Sequence, residues 1–205
     1  MRLFPFHCPP DDELCEAILC GAVLIFPTET IYGIGCSALQ SNPIRRVFEI
    51  KGRAPNQPPP VLISGENQLS TLVARVPDCA RGLMESYWPG ALTLILPARD
   101  EISSLLCGLS ADGSTRTIGV RLTNHAFARE LCARVGPLVA TSANFSGALG
   151  SAAAPHVLDD IPDGFKAHAD FVIDGGALHG KASTVVDCSG DVPRVLRAGA
   201  VDVQL

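Results

Sequence analysis

The chain has 205 residues, of which 47% are hydrophobic and 18% charged, a composition that provides for a large buried core and excludes a disordered protein. Its longest apolar run, Cys20–Phe26, is too short to cross a bilayer, and prolines and acidic residues stand where a secretory signal would be apolar, so we expect a cytoplasmic protein without membrane contact. The net charge of −5 disfavours a generic nucleic-acid binder, which is usually basic.

Strand and helix patterns alternate along the chain. Apolar, β-forming runs predict strands at 22–26, 61–64, 91–96, 118–121, 137–140, 170–173, 183–187 and 194–196. Helices are predicted from the Ser41-Asn42-Pro43 start to Gly52, over 77–88, and from a cap at Asn124 to about Val135. The alternation predicts an α/β (α+β) fold with a mixed sheet flanked by helices. No shift in composition marks a boundary, so we expect one domain over residues 1–205.

Basic charge is concentrated in one short segment. Between positions 45 and 53, four basic residues stand against one acidic residue, which gives a local charge of +3. A basic spot on an acidic protein favours a small anionic ligand over a polymer.

The eight cysteines include no CxxC pair and no Cys/His cluster with the spacing of a zinc site. Most lie in apolar stretches, as Cys20 and Cys132 do. We therefore interpret them as buried reduced thiols, in preference to disulfides or metal ligands, and expect no zinc.

Two glycine-rich segments match phosphate-binding motifs only in part. Residues 33–38 fit the dinucleotide pattern G-x-G-x-x-A, but they do not follow their strand directly and no helix begins there. Residues 175–181 run like a Walker A loop, but Ala182 replaces the magnesium-binding hydroxyl and a predicted strand follows in place of a helix. We interpret the second segment as a hairpin or connection.

Five polar clusters lie at the ends or edges of predicted strands, where open α/β sheets usually bind ligands. Residues 26–35 are rich in hydroxyls and fit a binding loop, with a plain loop as the alternative. Lys51-Gly52-Arg53 at a helix end either binds an anion or complements the helix dipole. Residues 141–147 either bind phosphate or ribose or form an Asx or Ser turn. The last two clusters are Ser183-Thr184 and Arg197.

Taken together, these clusters are similar to the ordered motifs of one family. Residues 26–35 resemble its P-T-E-T-x-Y-G-L-G loop, 51–53 its K-x-R, 142–147 its S-A-N-x-S-G, 183–187 its S-T-[VI]-V-D and 195–200 its I-L-R-x-G-A ending. Residues 88–93 and 120–125 also have counterparts. The sequence thus resembles the threonylcarbamoyl-AMP synthases of the YrdC/TsaC type over about residues 14–200. Because it ends soon after this last motif, it resembles their short form without a further C-terminal domain.

The resemblance implies a twisted mixed sheet around a concave, positively lined cleft. It implies a nucleotidyltransferase that converts L-threonine, bicarbonate and ATP to threonylcarbamoyl-AMP and pyrophosphate, with ATP as a substrate and Mg²⁺ as the accompanying ion. A downstream complex would then transfer the threonylcarbamoyl group to adenosine 37 of tRNAs that read ANN codons, the t6A modification.

The resemblance also implies roles for individual residues. The family's catalytic tetrad, which would bind ATP and the carboxylated intermediate, corresponds to Lys51, Arg53, Ser142 and Asn144. The nucleotide would also be faced by Thr117 and Arg197. Positions that hold threonine correspond to Thr30, Arg121 and Ser183, with Arg121 as a clamp for the α-carboxylate. In-line attack on the α-phosphate needs charge neutralisation and positioning, and no protein nucleophile.

Several positions depart from the family pattern. Ala54 and Pro59 replace a proline and a leucine after the K-x-R motif, Leu62 stands where some members have a histidine, and Ala198 replaces a proline. The loop through Pro58-Pro59-Pro60 is either a lid at the cleft mouth or a rigid turn.

Two rival functions stay open at the level of sequence. One is a paralogue of the same fold with a different or unknown carbamoyl-adenylate substrate. The other is an RNA-binding or ribosome-maturation factor, for which the negative net charge allows only weak RNA binding.

Overall fold

Strands and helices alternate through most of the computed structural model, which describes residues 2–4, 6, 9–146 and 155–205. Its helices are α1 Asp12–Leu19, α2 Ser41–Lys51, α3 Asp78–Tyr87, α4 Ala126–Val135 and α5 Asp163–Lys166. Its strands are β1 Arg2–Phe4, β2 Leu24–Phe26, β3 Gly33–Ser37, β4 Val61–Ile63, β5 Leu92–Pro97, β6 Cys107–Leu109, β7 Arg116–Leu122, β8 Leu138–Ser142, β9 Phe171–Ile173, β10 Thr184–Asp187 and β11 Arg194–Arg197. Short 3₁₀ helices lie at Glu66–Thr71, Ser104–Leu106 and Leu158–Asp160.

The strands form one mixed sheet in the order β1-β9-β2-β3-β8-β4-β7-β5-β10-β11, with β6 beside β7. Strand β7 pairs parallel with β4 and antiparallel with β5, and β10 pairs parallel with β5. The predicted α/β fold with a mixed sheet is thereby confirmed. Over the described ranges, every helix is too short or too polar to cross a membrane.

Side chains of the central strands alternate between the two faces of this sheet. Ile25 belongs to a core cluster with residues of α2 and α3, whereas Leu24 and Phe26 belong to a second cluster with α1 and α4. The first face is apolar along β5 and β7, as at Leu94 and Val120. Helices α1 and α4 cover only part of the other face, where β5 and β7 present Thr93, Ile95, Thr117, Gly119 and Arg121.

Strand β3 lies where the sequence predicted a loop. Its two glycines disfavour a strand by propensity, but it pairs antiparallel with both β2 and β8. A Cβ atom at Gly35 would stand 1.8 Å from the carbonyl oxygen of Val139, so only glycine permits this pairing distance. The binding-loop interpretation therefore applies to residues 27–32, and residues 33–37 are part of the sheet.

Helix boundaries differ from expectation at two places. The cap of α4 is His125, whose Nδ1 accepts from the backbone N–H of Ala128 at 3.5 Å, and the predicted cap at Asn124 is wrong. Helix α1 was missed, although its apolar residues follow helical spacing. The predicted end of α2 at Gly52 is confirmed, because this residue adopts the left-handed conformation with φ of 59°.

The glycine-rich segment 174–183 connects β9 directly to β10 without a helix. The interpretation of residues 175–181 as a connection, and not as a Walker A loop, is therefore confirmed. The segment packs closely on the Thr28–Thr30 region, since a Cβ atom at Gly180 would stand 2.3 Å from the carbonyl oxygen of Glu29.

Seven cysteines fall within the described residues and are free thiols, while Cys8 lies outside them. Four are buried, and burial raises the pKa of Cys36 and of Cys132 to about 12. Cys20 is exposed, contrary to expectation.

Candidate functional site

A cavity of about 510 Å³ opens on the part of the sheet that α1 and α4 leave uncovered. Residues of β5 and β7 form part of its lining: Thr93, Thr117 and Gly119 are polar or small, and Ile95 is apolar. The structure brings all nine sequence-predicted site residues to this one cavity: Thr30, Lys51, Arg53, Thr117, Arg121, Ser142, Asn144, Ser183 and Arg197.

Lys51, the last residue of α2, points inward and is only 2% exposed. Its Nζ donates to the carbonyl oxygens of Ser142 and Asn144 at 2.6 and 2.7 Å, and Asn144 Oδ1 lies 3.4 Å away. Three acceptors match the three protons of an ammonium group. Burial, and then the charge of Arg53, lower the pKa of Lys51 to about 7. The alternative of a solvated helix end is therefore wrong for this residue.

The Ser142–Asn144 turn is fixed by bonds of its own. Ser142 Oγ donates to Asn144 Oδ1 at 2.7 Å, and the N–H of Ser146 donates to the carbonyl oxygen of Lys51 at 2.8 Å. Ser142 is the last residue of β8 and not, as predicted, a residue beyond the strand. Gly147, which ends the motif, lies outside the described residues.

Arg53 reaches the same wall of the cavity from the turn after α2. Its Nη1 donates to Thr141 Oγ1 at 3.2 Å, and its Nε and Nη2 donate to the carbonyl oxygens of Gln57 and Pro58. Burial lowers the pKa of Arg53. These contacts favour the second interpretation of the proline-rich loop, a turn whose carbonyl groups orient Arg53.

Arg121, on β7, lies at another part of the cavity wall. Its Nη1 donates to Thr30 Oγ1 at 3.3 Å, and Thr30 Oγ1 lies 2.8 Å from Thr28 Oγ1. Its Nε stands 3.4 Å from Glu29 Oε1 in a buried ion pair. Thr30 and Arg121 are separated by 91 positions in sequence, and the folding of the 27–32 loop over β7 brings them together.

Arg197 and Ser183 meet through the pairing of β10 with β11. Arg197 donates from Nε and Nη2 to the carbonyl oxygen of Ser183 at 3.1 and 2.7 Å, and from Nη2 to Ser183 Oγ at 3.0 Å. Ser183 Oγ also lies 2.9 Å from Thr93 Oγ1. Burial, and then the nearby charge of Arg121, lower the pKa of Arg197. Both guanidinium groups line the same cavity.

The lining carries four cationic side chains and, among the described residues, no carboxylate. Such a surface suits an anion or several anionic groups. Among the described residues we find no cluster of His, Cys, Asp and Glu side chains suited to a metal ion.

Three residues near the cavity were not singled out from the sequence. Thr93 lies inside an apolar strand, and its alternation with Leu92 and Leu94 is the signal that would have found it. Phe145 lines the cavity while 46% exposed, and its ring meets Phe165 edge-on at 5.1 Å. Glu29 forms an ion pair with Arg121 and does not itself line the cavity.

Leu62, where some related proteins have a histidine, is buried in the core and does not line the cavity.

Comparison with known proteins identifies one family. The family designated Sua5/YciO/YrdC, with the description "Telomere recombination", matches residues 16–199. The "Threonylcarbamoyl-AMP synthase" of Bacillus subtilis is 38% identical over 183 residues, which cover 87% of this chain and 50% of that protein. The chain spans about half the length of the first curated relatives it matches.

Solved structures resemble the whole fold. The Sua5 protein of P. abyssi, crystallised with L-threonine, superposes with a TM-score of 0.84 at 31% identity and covers 97% of this chain and 58% of its own. The crystal structure of E. coli YciO gives a TM-score of 0.83 at 27% identity and covers 99% of this chain and 98% of its own.

Proposed function

Because the chain belongs to the Sua5/YciO/YrdC family, we propose that it is a threonylcarbamoyl-AMP synthase that converts L-threonine, bicarbonate and ATP to threonylcarbamoyl-AMP and pyrophosphate. The observation that carries the proposal is that one cavity is lined both by two cationic groups, Lys51 and Arg53, and by Arg121, Thr30 and Ser183. The P. abyssi relative, which was crystallised with L-threonine, supports an amino-acid substrate.

In this proposal the threonine end of the cavity is formed by Arg121, Thr30 and Ser183. The Arg121 guanidinium binds the α-carboxylate with N–H groups that it does not use in its bond to Thr30. The hydroxyls of Thr30 and Ser183 bond the threonine hydroxyl. The substrate amine, positioned in this way, is available to combine with bicarbonate to form a carbamate, with loss of water.

The nucleotide end is formed by the tetrad together with Thr117 and Arg197. A carbamate oxygen attacks the α-phosphate in line, the bond from that phosphorus to the β-phosphate oxygen breaks, and pyrophosphate leaves. Arg53 neutralises charge on the phosphates, while Lys51 holds the Ser142–Asn144 turn in place for them. Since the lining has no carboxylate among the described residues, a protein-bound Mg²⁺ does not fit here, and Mg²⁺ enters with ATP as part of that substrate.

The product is an activated carbamoyl group, so a second protein must consume it. We propose the complex that transfers it to adenosine 37 of tRNAs that read ANN codons, and the cytoplasm as the compartment. Direct binding of RNA by this chain is a weaker proposal, because its net charge is −5.

Pyrophosphate release tests the reaction. The complete mixture should release pyrophosphate, and omission of L-threonine, bicarbonate or ATP in turn should each reduce release to background. Mass spectrometry should detect the threonylcarbamoyl adenylate. Release that does not depend on threonine would contradict the proposal.

The second candidate function is a paralogue with another substrate. The same fold occurs in E. coli YciO, a protein whose name does not describe it as a threonylcarbamoyl-AMP synthase. A different amine that stimulates bicarbonate-dependent pyrophosphate release, with threonine inactive, would select this candidate.

A further inference from the structure

Glu29 gives the two ends of the cavity different electrostatic character. Among the ion pairs of the described residues, the one between Glu29 and Arg121 is the only one that includes a cation of the cavity lining. Lys51 and Arg53 instead donate to carbonyl, amide and hydroxyl oxygens, all of them neutral acceptors. Among the described residues, the charge of Arg121 is thus compensated by a carboxylate, and the charges of Lys51 and Arg53 are not.

The Glu29 carboxylate is buried and held in place from behind. Its side chain is 12% exposed and that of Arg121 is 7% exposed. Glu29 Oε2 accepts from Thr123 Oγ1 at 2.6 Å. Oε1 stands 3.4 Å from Arg121 Nε without an aligned hydrogen bond, and neither atom has another hydrogen-bond partner among the described residues. The interaction between the two groups is therefore mainly one of charge, and Thr123 sets the position of the carboxylate.

Compensation of the Arg121 charge by Glu29 matters because the cavity holds a second guanidinium group, that of Arg197. Arg197, which the proposed function assigns to the nucleotide, lines the same cavity as Arg121 and donates to Ser183, which it assigns to threonine, so the nucleotide end begins next to the threonine end. Two guanidinium groups in one cavity without a counter-charge are a strong site for a phosphate group. A carboxylate beside them reduces the local charge to a level that a single substrate carboxylate can match.

We propose that Glu29 is a specificity-determining residue that keeps phosphate groups away from the Arg121 end of the cavity and leaves this end to the amino-acid substrate. The inference rests on the proposed function and deepens it. Glu29 repels the multiply charged phosphates of ATP and pyrophosphate, but it does not oppose a zwitterion, whose ammonium group it attracts. Because Glu29 itself does not line the cavity, it acts through Arg121 and is a positioning residue.

The test measures L-threonine binding to the full chain by calorimetry, with inorganic phosphate and with sodium chloride at equal ionic strength. In the wild type, phosphate should leave the Kd for threonine unchanged, because it binds at the Lys51 and Arg53 wall. In Glu29→Gln, phosphate should compete with threonine and raise its apparent Kd by at least about fivefold. Glu29→Met should behave in the same way. If one of these two neutral variants does not fold, the other still tests the proposal.

Thr123→Val is the matched control, because it removes the hydrogen bond to Glu29 and keeps the negative charge. It should weaken threonine binding only slightly and should stay insensitive to phosphate. Phosphate competition in this variant, or its absence in folded Glu29→Gln, overturns the proposed role of Glu29. A wild type that does not bind threonine at all instead refutes the proposed function, so the two failures are distinguishable.

Discussion

The buried ammonium of Lys51 should make the stability of the protein depend on pH in a defined way. The perturbation is Lys51→Met, which keeps the length of the side chain and removes its charge. Burial lowers the pKa of Lys51 from 10.5 to about 7. This shift means that the charged form of Lys51 is less favourable in the folded state than in the unfolded state by roughly 5 kcal/mol. Folding of the wild type therefore opposes protonation of this side chain.

The sign and the pH window follow from the number of protons bound in each state. Below about pH 7 the side chain is protonated in both states, so the difference in stability between wild type and variant is constant. Between about pH 7 and the unfolded pKa of 10.5, the unfolded state binds more protons, so the wild type gains stability as the pH rises. The gain approaches about 1.4 kcal/mol per pH unit and amounts to roughly 2–3 kcal/mol between pH 6 and 9.

The assay is urea unfolding of wild type and Lys51→Met at several pH values from 6 to 9. The free energy of unfolding of the wild type minus that of the variant should be flat up to about pH 7 and then rise. Lys181→Met, at an exposed lysine, is the matched control and should give no rise. A difference for Lys51→Met that stays constant over the whole range would refute the reasoning.

Four further predictions concern activity and reactivity. Arg53→Ala should reduce pyrophosphate release at least about a hundredfold with an unchanged circular dichroism spectrum, whereas Arg45→Ala, at an exposed arginine outside the cavity, should not. Pyrophosphate release should be fastest with threonine and much slower with serine, which lacks a methyl contact worth about 1–3 kcal/mol, and the rate with valine should be near background. Equal rates with threonine and valine would contradict the proposed site. Gly180→Ala should raise the KM for threonine several-fold, because its Cβ would displace the Glu29 backbone, whereas Gly82→Ala, which meets no atom within 4 Å, should not. Mild alkylation of the native protein should label the exposed Cys20 before the four buried thiols and leave activity unchanged; inactivation would reveal a thiol that matters to the reaction.

The sequence predicted the sheet best where a strand is buried on both faces. Apolar runs identified β2, β4, β5, β7 and β8 to within a few residues. Strand β3 was missed because backbone proximity, and not side-chain propensity, determines it: a Cβ atom at Gly35 would overlap the carbonyl oxygen of Val139. Such a requirement depends on a partner strand about a hundred residues away.

The identity of the site residues was predictable from motif order, but their contacts were not. Lys51 bonds to the Ser142 carbonyl across 91 positions, and Thr93 Oγ1 meets Ser183 Oγ across 90. Each cluster by itself also fitted a simple structural role. Only the order of strands in the sheet, which places β7, β5 and β10 side by side, decides that these clusters share one cavity.

The inward orientation of the Lys51 side chain requires stabilisation from other parts of the fold. A lysine at a helix end normally extends into water, and the helix dipole alone explains its position there. Here the side chain is enclosed and its ammonium meets carbonyl groups, an orientation that costs folding free energy because the charge is buried. The apolar face of the same sheet, with Leu94, Ile118 and Val120 fully buried, supplies the hydrophobic stabilisation that offsets this cost. We infer that period-two alternation along β5 and β7 does both tasks at once, since one set of positions stabilises the domain and the other presents the polar groups of the site. A substitution that inverted the polarity at Thr93 or Thr117 would therefore impair the cavity without weakening the core.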